Sequence, residues 1–168
     1  GPKLDFIFKD VIGREWQLST VQLDMNLPAR FGLEYIDAGG EKATPVVIHR
    51  AILGSTERFL GILIEHYAGA FPLWLAPVQV GVLTVSDAVK PYAESVAEEL
   101  KRRGIRIAVD DRNATIGKKI RESELQKIPY LLIIGQREVE SNTVAVRERG
   151  KGDVGAIALN TFIERVKQ

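Results

Sequence analysis

No cysteine occurs anywhere in the 168 residues. That excludes a disulfide framework and thiolate zinc sites, and nothing then argues for secretion. No long hydrophobic run occurs either, because the greasiest stretch, near residue 60, stops at Glu65-His66, far short of a membrane span. A signal peptide is not readable, since Lys3, Asp5, Lys9 and Asp10 interrupt the N-terminal apolar residues. No charge of one sign dominates: a net charge of +1 excludes a strong non-specific grip on nucleic acid or membrane. With 45% hydrophobic and 27% charged residues, this is an ordinary globular chain of cytoplasmic type, with room for one or two cores and no membrane partner.

The charge is uneven along the chain. Residues 101–127 hold nine Lys/Arg against four Asp/Glu, a local excess of basic side chains. Lys3 to Asp10 alternates with Leu4, Phe6 and Phe8 on one side and reads as a strand, and Gly13 turns it into a second strand, Glu15 to Asp24. Period two places Leu18, Thr20 and Gln22 on one face of that strand, with Gln17 on the other unless a bulge or twist intervenes. Asp37 to Gly40 is a turn, and Pro45 to Ala51 is a third strand.

Gly54-Ser55 breaks that strand and starts an apolar helix. Ser55 is a good N-cap, and Glu57 sits where the helix dipole favours a carboxylate. Phe59, Leu60, Ile62, Leu63, Ile64 and Tyr67 cover most of the circumference, which predicts a buried helix. Arg58 is anomalous at its mouth. A snorkelling or salt-bridged arginine fits the pattern, and so does a contact to an anion or an aromatic ring at the helix N-terminus. His49 stands alone, with nothing nearby at metal-ligand spacing, and His66 falls late on the helix as a surface residue.

Gly69 to Pro77 ends the helix, and the best domain boundary is near residue 75, giving 1–75 and 76–168. Strands and helices alternate after it: Val78–Val85, a helix over Asp87–Arg103, Ile105–Asp110, a Thr115-capped helix to Leu125, Tyr130–Ile134, a polar turn at Gly135–Asn142, Thr143–Arg147, and a helix over Leu159–Lys167. On the Thr115 helix, Ile116, Ile120 and Leu125 point inward, with Lys118, Lys119 and Arg121 near or on the outer face. This order implies an α/β layer with a mostly parallel core.

The word GSTERFLGIL resembles motif 3 of the class II aminoacyl-tRNA synthetases. VVIHRAILGSTERF and FPLWLAPVQV are more specific and resemble the threonyl branch, and the likeness continues to the end of the chain. DDRNATIGKKIRESELQKIPYLLIIGQREVE is similar to the anticodon-binding domain of class IIa synthetases. The resemblance implies an α/β fold in two parts: part of the class II antiparallel sheet with its motif 3 helix, then an anticodon-binding domain with a mixed, mostly parallel sheet covered by helices.

By that resemblance the chain is the C-terminal portion of a longer ligase, which activates threonine with magnesium-bound ATP and transfers it to its tRNA. Arg58 would be catalytic, stabilising the nucleotide. Gln17, Thr20, Gln22, Ser55 and Arg58 would line the ATP and threonine pocket. His49 would be one of three zinc ligands, the cysteine and histidine that complete the set lying outside this sequence. Motifs 1 and 2 are also missing, so the chain alone is expected to be inactive and to hold no cofactor tightly. Asn113, Arg121, Glu138 and Arg147 would read the anticodon arm of threonine tRNA. The family is homodimeric through motif 1, which leaves this piece free to be monomeric. A stand-alone, non-catalytic tRNA-binding or accessory module on the same scaffold is the alternative.

Overall fold

In the computed structural model, which describes residues 1–167, the N-terminal period-two segments pair as strands. β1 (Lys3–Lys9) and β2 (Glu15–Asp24) form an antiparallel ladder. Asp10 shapes the turn between them: its Oδ1 accepts the backbone N–H groups of Ile12 at 3.0 Å and Arg14 at 2.9 Å. A one-turn helix α1 (Leu27–Arg30) and a small hairpin of β3 (Tyr35–Ile36) and β4 (Lys42–Ala43) follow. β5 (Val47–Ala51) then pairs antiparallel with β2, giving the order β1-β2-β5, and α2 (Thr56–Tyr67) closes this unit, Gly1–Ala68.

No residue of α2 is buried, contrary to what its apolar circumference predicts. Three strands offer it one face. Phe59, Ile62, Leu63 and Tyr67 are partly covered, while Leu60 and Ile64 remain 47% and 51% exposed.

The second unit begins at Gly69, earlier than the boundary read near residue 75. Two guanidinium groups account for this by holding the connecting segment. Arg149 Nη2 donates to the carbonyls of Ala70 at 3.1 Å and Phe71 at 2.6 Å. Arg106 Nη2 donates to those of Trp74 and Ala76, each at 2.8 Å.

This unit runs β6 (Val80–Thr84), a 3₁₀ turn Asp87–Val89, α3 (Lys90–Arg102), β7 (Ile107–Asp110), α4 (Ile116–Leu125), β8 (Tyr130–Ile134), α5 (Gln136–Ser141), β9 (Thr143–Glu148), β10 (Gly152–Ala158) and α6 (Leu159–Lys167). The sheet order is β10-β9-β8-β6-β7. β6 is parallel to β7 and β8, while β9 runs antiparallel to β8 and β10. Val80, Val82, Leu132, Ile134, Val144 and Val146 pack on one face against Leu100 of α3 and Phe162 of α6. Leu83 and Leu131 pack on the other face, with Ile116 and Ile120 of α4.

Two elements differ from the sequence reading. The expected polar turn at 135–142 contains α5, only six residues long, too short for a helical period to show. β10 was not anticipated, since no element was read between Arg147 and Leu159; Gly155 sits at a φ of +91° where the β9–β10 register shifts, a bulge that suits glycine. Among the described residues no helix is long and apolar enough to cross a membrane.

Lys119 is a third correction. It is not on the outer face of α4 but 2% exposed. Its ammonium donates to the Thr84 carbonyl at 2.8 Å, the Thr84 hydroxyl at 3.2 Å and the Asp110 carbonyl at 3.2 Å, joining the ends of β6 and β7. An ammonium has three donors, and all three are used. Lys119→Met should therefore destabilise the second unit by roughly 1.5–3 kcal/mol, read as a lowered urea midpoint. Lys118→Met, on an exposed side chain one residue earlier, should leave that midpoint in place. Equal midpoints for the two variants would remove the structural role of Lys119.

Candidate functional site

The β1–β2 ladder positions the first group of candidate residues. Phe6 faces Ser19 but Ile7 faces Gln17, so Leu18 is an extra residue, a β-bulge. The bulge takes Leu18 out of the row and returns Gln17 to the face of Thr20 and Gln22. Leu18, 7% exposed, instead lines an apolar cavity of about 370 Å³ with Phe59, Ile62 and Leu63 of α2. His49 faces Gln22 across the β2–β5 ladder. Gln17, Thr20, Gln22 and His49 therefore share one face.

Carboxylates set the electrostatics of that face. Gln17 Nε2 donates to Asp5 Oδ1 at 2.6 Å, and Lys3 Nζ lies 3.0 Å from the same oxygen. Hydrogen bonding from Lys3, with its positive charge, holds the Asp5 carboxyl below its ordinary range. Asp24 Oδ2 lies 2.9 Å from His49 Nε2. The Asp24 carboxyl is lowered to about 2, first by the backbone N–H of Leu27, then by His49 and the N–H of Asn26. Asp24 was not singled out in the sequence, although it ends the second strand read there, Glu15 to Asp24.

A zinc ion implied by the family would need about three protein ligands here. His49 and Asp24 supply two donors at most. Among the described residues no group of three His, Asp or Glu side chains could hold a metal. The residues present do not complete the site.

Ser55 and Arg58 lie apart from this row, at the start of α2. Ser55 Oγ accepts the Arg58 N–H at 3.3 Å and donates to Glu57 Oε2 at 2.7 Å, so it caps the helix. The Arg58 guanidinium stands 5.7 Å from the centre of the Trp16 ring, which Arg14 also approaches at 5.5 Å. Trp16 pairs with Phe8, on the side-chain set that alternates with that of Gln17. Gly54, just before the cap, has a φ of +66°, and a Cβ there would fall 2.5 Å from the Leu18 carbonyl oxygen. The bulge and the glycine fit each other.

In the second unit the candidates fall in two places. Asn113 borders a polar cavity of about 240 Å³ with Thr84, Ser86, Arg112 and Lys119, at the carboxyl ends of β6 and β7. Arg112 is engaged there by Asp110 at 2.6 Å and Glu122 at 2.6 Å. Glu138, at the carboxyl end of β8, accepts the Gly135 N–H through Oε2 at 2.9 Å and so caps α5. Tyr92 is pushed up by burial and, secondarily, by the charge of Glu138.

Arg147 lies toward the other end of the sheet, opposite Leu131. Val144 and Val146 of its strand face the α3–α6 core, so Ala145 and Arg147 face the α4 side, where both are only half-buried. Arg147 Nη2 is 3.5 Å from Glu124 Oε1, and Arg121 sits one helical turn before Glu124 on α4. Arg147 Nε is buried with no hydrogen-bond partner among the described residues. Arg147 and Glu124 border a cavity of about 490 Å³ with Lys127 and Arg149, two residues the sequence reading did not select for it.

Comparison with known proteins agrees with this division. Residues 79–168 match the family described as anticodon binding domain, and residues 1–67 match the tRNA synthetase class II core domain (G, H, P, S and T). The chain is 57% identical to a threonine–tRNA ligase of Clostridium tetani, over 99% of this chain and 26% of that protein. It thus spans about a quarter of the length of the curated relatives it matches. Among solved structures it is similar to the RNA binding domain of threonyl-tRNA synthetase from Cryptosporidium parvum Iowa II, with a TM-score of 0.88, 42% identity, and coverage of 99% of this chain and 42% of that one. The structure of the putative threonyl-tRNA synthetase ThrRS-1 from Aeropyrum pernix matches with a TM-score of 0.66 at 32% identity, covering 98% of this chain and 41% of that one.

Two outcomes are expected of the first unit. Gly54→Ala should destabilise it by roughly 1–3 kcal/mol, since a methyl group meets both a left-handed φ and the Leu18 carbonyl. Hydrogen exchange at the amides of β2 and α2 reads this, and unchanged protection would count against the close fit. Asp24 has a folded pKa below its unfolded value of 3.8, so its contribution is present above that pH and is lost as pH falls toward 2. Asp24→Asn should flatten the loss of first-unit structure across this window in an acid titration followed by NMR, and an unaltered titration would refute the pairing.

Proposed function

The chain belongs to the anticodon-binding domain family of the class II aminoacyl-tRNA synthetases and matches the C-terminal portion of the threonyl enzymes, and from that premise we propose that it recognises the anticodon arm of threonine tRNA while supplying part of a threonine-activating site. One observation carries the RNA reading. Arg147 lines an open cavity with Lys127 and Arg149, and its Nε is buried and unpaired among the described residues. A buried donor without a partner costs about 1–3 kcal/mol, which a base acceptor would return on binding. The planar guanidinium suits a two-point contact with a base edge.

Arg121 adds a second exposed cation on α4. Asn113 and Glu138 sit at strand ends, where open α/β sheets take their ligands. Glu138 would accept from an exocyclic amine of guanine or cytosine while Oε2 keeps its bond to the Gly135 N–H.

In the first unit the row of Gln17, Thr20, Gln22 and His49 is the surface offered to threonine and ATP, which would arrive with magnesium. Arg58, pre-oriented by Trp16, would lie against the nucleotide, and Ser55 would act chiefly by holding the start of α2. Zinc finds no complete site among the described residues, where His49 and Asp24 supply two donors at most. Threonyl transfer is named for the longer ligases that this chain matches, and we propose that the chain contributes to it only as part of such a protein, in the cytoplasm and as a homodimer, while the piece alone is inactive and monomeric. The second unit alone contains both apolar core clusters, which keeps the non-catalytic RNA-binding module as a second reading.

The test is binding of anticodon-arm hairpins. Arg147→Ala should weaken the cognate arm by about 1–3 kcal/mol and relax discrimination at one base. Uniform weakening of cognate and non-cognate arms would show that Arg147 reads no base. Glu138→Gln serves as the charge control: equal tightening for all arms would remove Glu138 from the reading surface.

A further inference from the structure

We propose that Lys127 is the phosphate-binding cation of the Arg147 cavity, fixing the sugar–phosphate backbone of the RNA whose base Arg147 reads; this rests on the anticodon reading above. Lys127 follows α4 with a φ of +60°, the left-handed region where glycine or asparagine is the ordinary occupant. The conformation is locked from both sides. Its N–H donates to the Glu124 carbonyl at 3.0 Å, and its own carbonyl accepts Arg149 Nη1 at 2.5 Å. Glycine would satisfy both bonds without strain, so the backbone gives no reason for a long cationic side chain here.

The cavity does. Lys127 lines it with Arg147, Arg149 and the open glycines Gly150 and Gly152. The carboxylates around it are already matched: Glu124 faces Arg147 at 3.5 Å, and Glu148 meets Lys151 and Arg165, each at 2.6 Å. Arg149 spends its donors on main-chain carbonyls. The Lys127 ammonium has no hydrogen bond or ion pair among the described residues, which leaves it the uncommitted charge of the cavity. The chemistry divides naturally. A planar fork suits a base edge, and a compact ammonium on a flexible stem suits a phosphate.

The experiment uses the 168-residue chain, cognate and non-cognate anticodon-arm hairpins, and a series of salt concentrations. Lys127→Gly should raise the thermal midpoint by relieving the left-handed strain. It should also weaken every hairpin alike, roughly 3- to 10-fold at low salt, and reduce the slope of log affinity against log salt by about 1. Lys127→Arg should retain affinity and slope. A Lys127→Gly protein with a raised midpoint but unchanged affinity and slope would overturn the inference, since the fold is then intact and the charge irrelevant. Arg147→Ala separates the two claims. If it has no effect, the anticodon reading of the previous subsection falls whatever Lys127 does; if it acts and Lys127→Gly does not, the phosphate contact alone falls.

Discussion

One buried charge holds the second unit in order. Lys119 carries an ammonium into the space between the ends of β6 and β7, where an unpaired charge would be costly. Its three acceptors make the burial tolerable, and the bond geometry fixes where α4 must lie. Much follows from that placement. Arg121 and Glu124 are displayed along one side of α4, Thr115 caps the helix by accepting the Lys118 N–H at 3.4 Å, and the chain leaves through Lys127 into β8. The α4 side chains proposed to meet RNA are therefore placed by a buried contact at the ends of β6 and β7.

The first unit is organised on a different principle. Among the described residues its only buried large hydrophobic side chain is Leu18, and every residue of β1 is exposed. Its order comes from local polar devices instead. Asp10, which burial pushes up, is nevertheless held well below the usual carboxylate range by the Trp16 indole and Arg14. The bulge at Leu18 does two jobs at once: it aligns Gln17 with Thr20 and Gln22, and it presents a carbonyl that only a glycine at 54 can accommodate.

The parts of this architecture that sequence made legible are those where one periodicity dominates. β2, β8, α2 and α6 appear at their read positions because β-prone residues, a continuous apolar run or helical spacing fill the segment, and the Ser55 and Thr115 caps are visible as hydroxyls ahead of helical runs. What escaped was set by single long-range contacts. Lys119 is flanked by exposed Lys118 and looks like part of a solvated face, since its acceptors lie on strands 9 and 35 residues away in the chain. The bulge at Leu18 inverts a face without leaving a mark in composition. Arg147 and Glu138 were read as one surface, yet they stand toward opposite ends of a strand pair, because β9 doubles back along β8.

Arg149 carries a consequence of another kind. All three groups it binds, at Ala70, Phe71 and Lys127, are main-chain carbonyls. Side-chain replacements at those three positions leave the acceptors in place, so sequence drift there is buffered. No such buffering protects position 149, where loss of the guanidinium removes one hold on the connecting segment and one on the turn after α4 together. Mutational vulnerability is thus concentrated on one partner of a four-residue junction, and a survey of tolerated substitutions would see a single intolerant site where the geometry contains four participants.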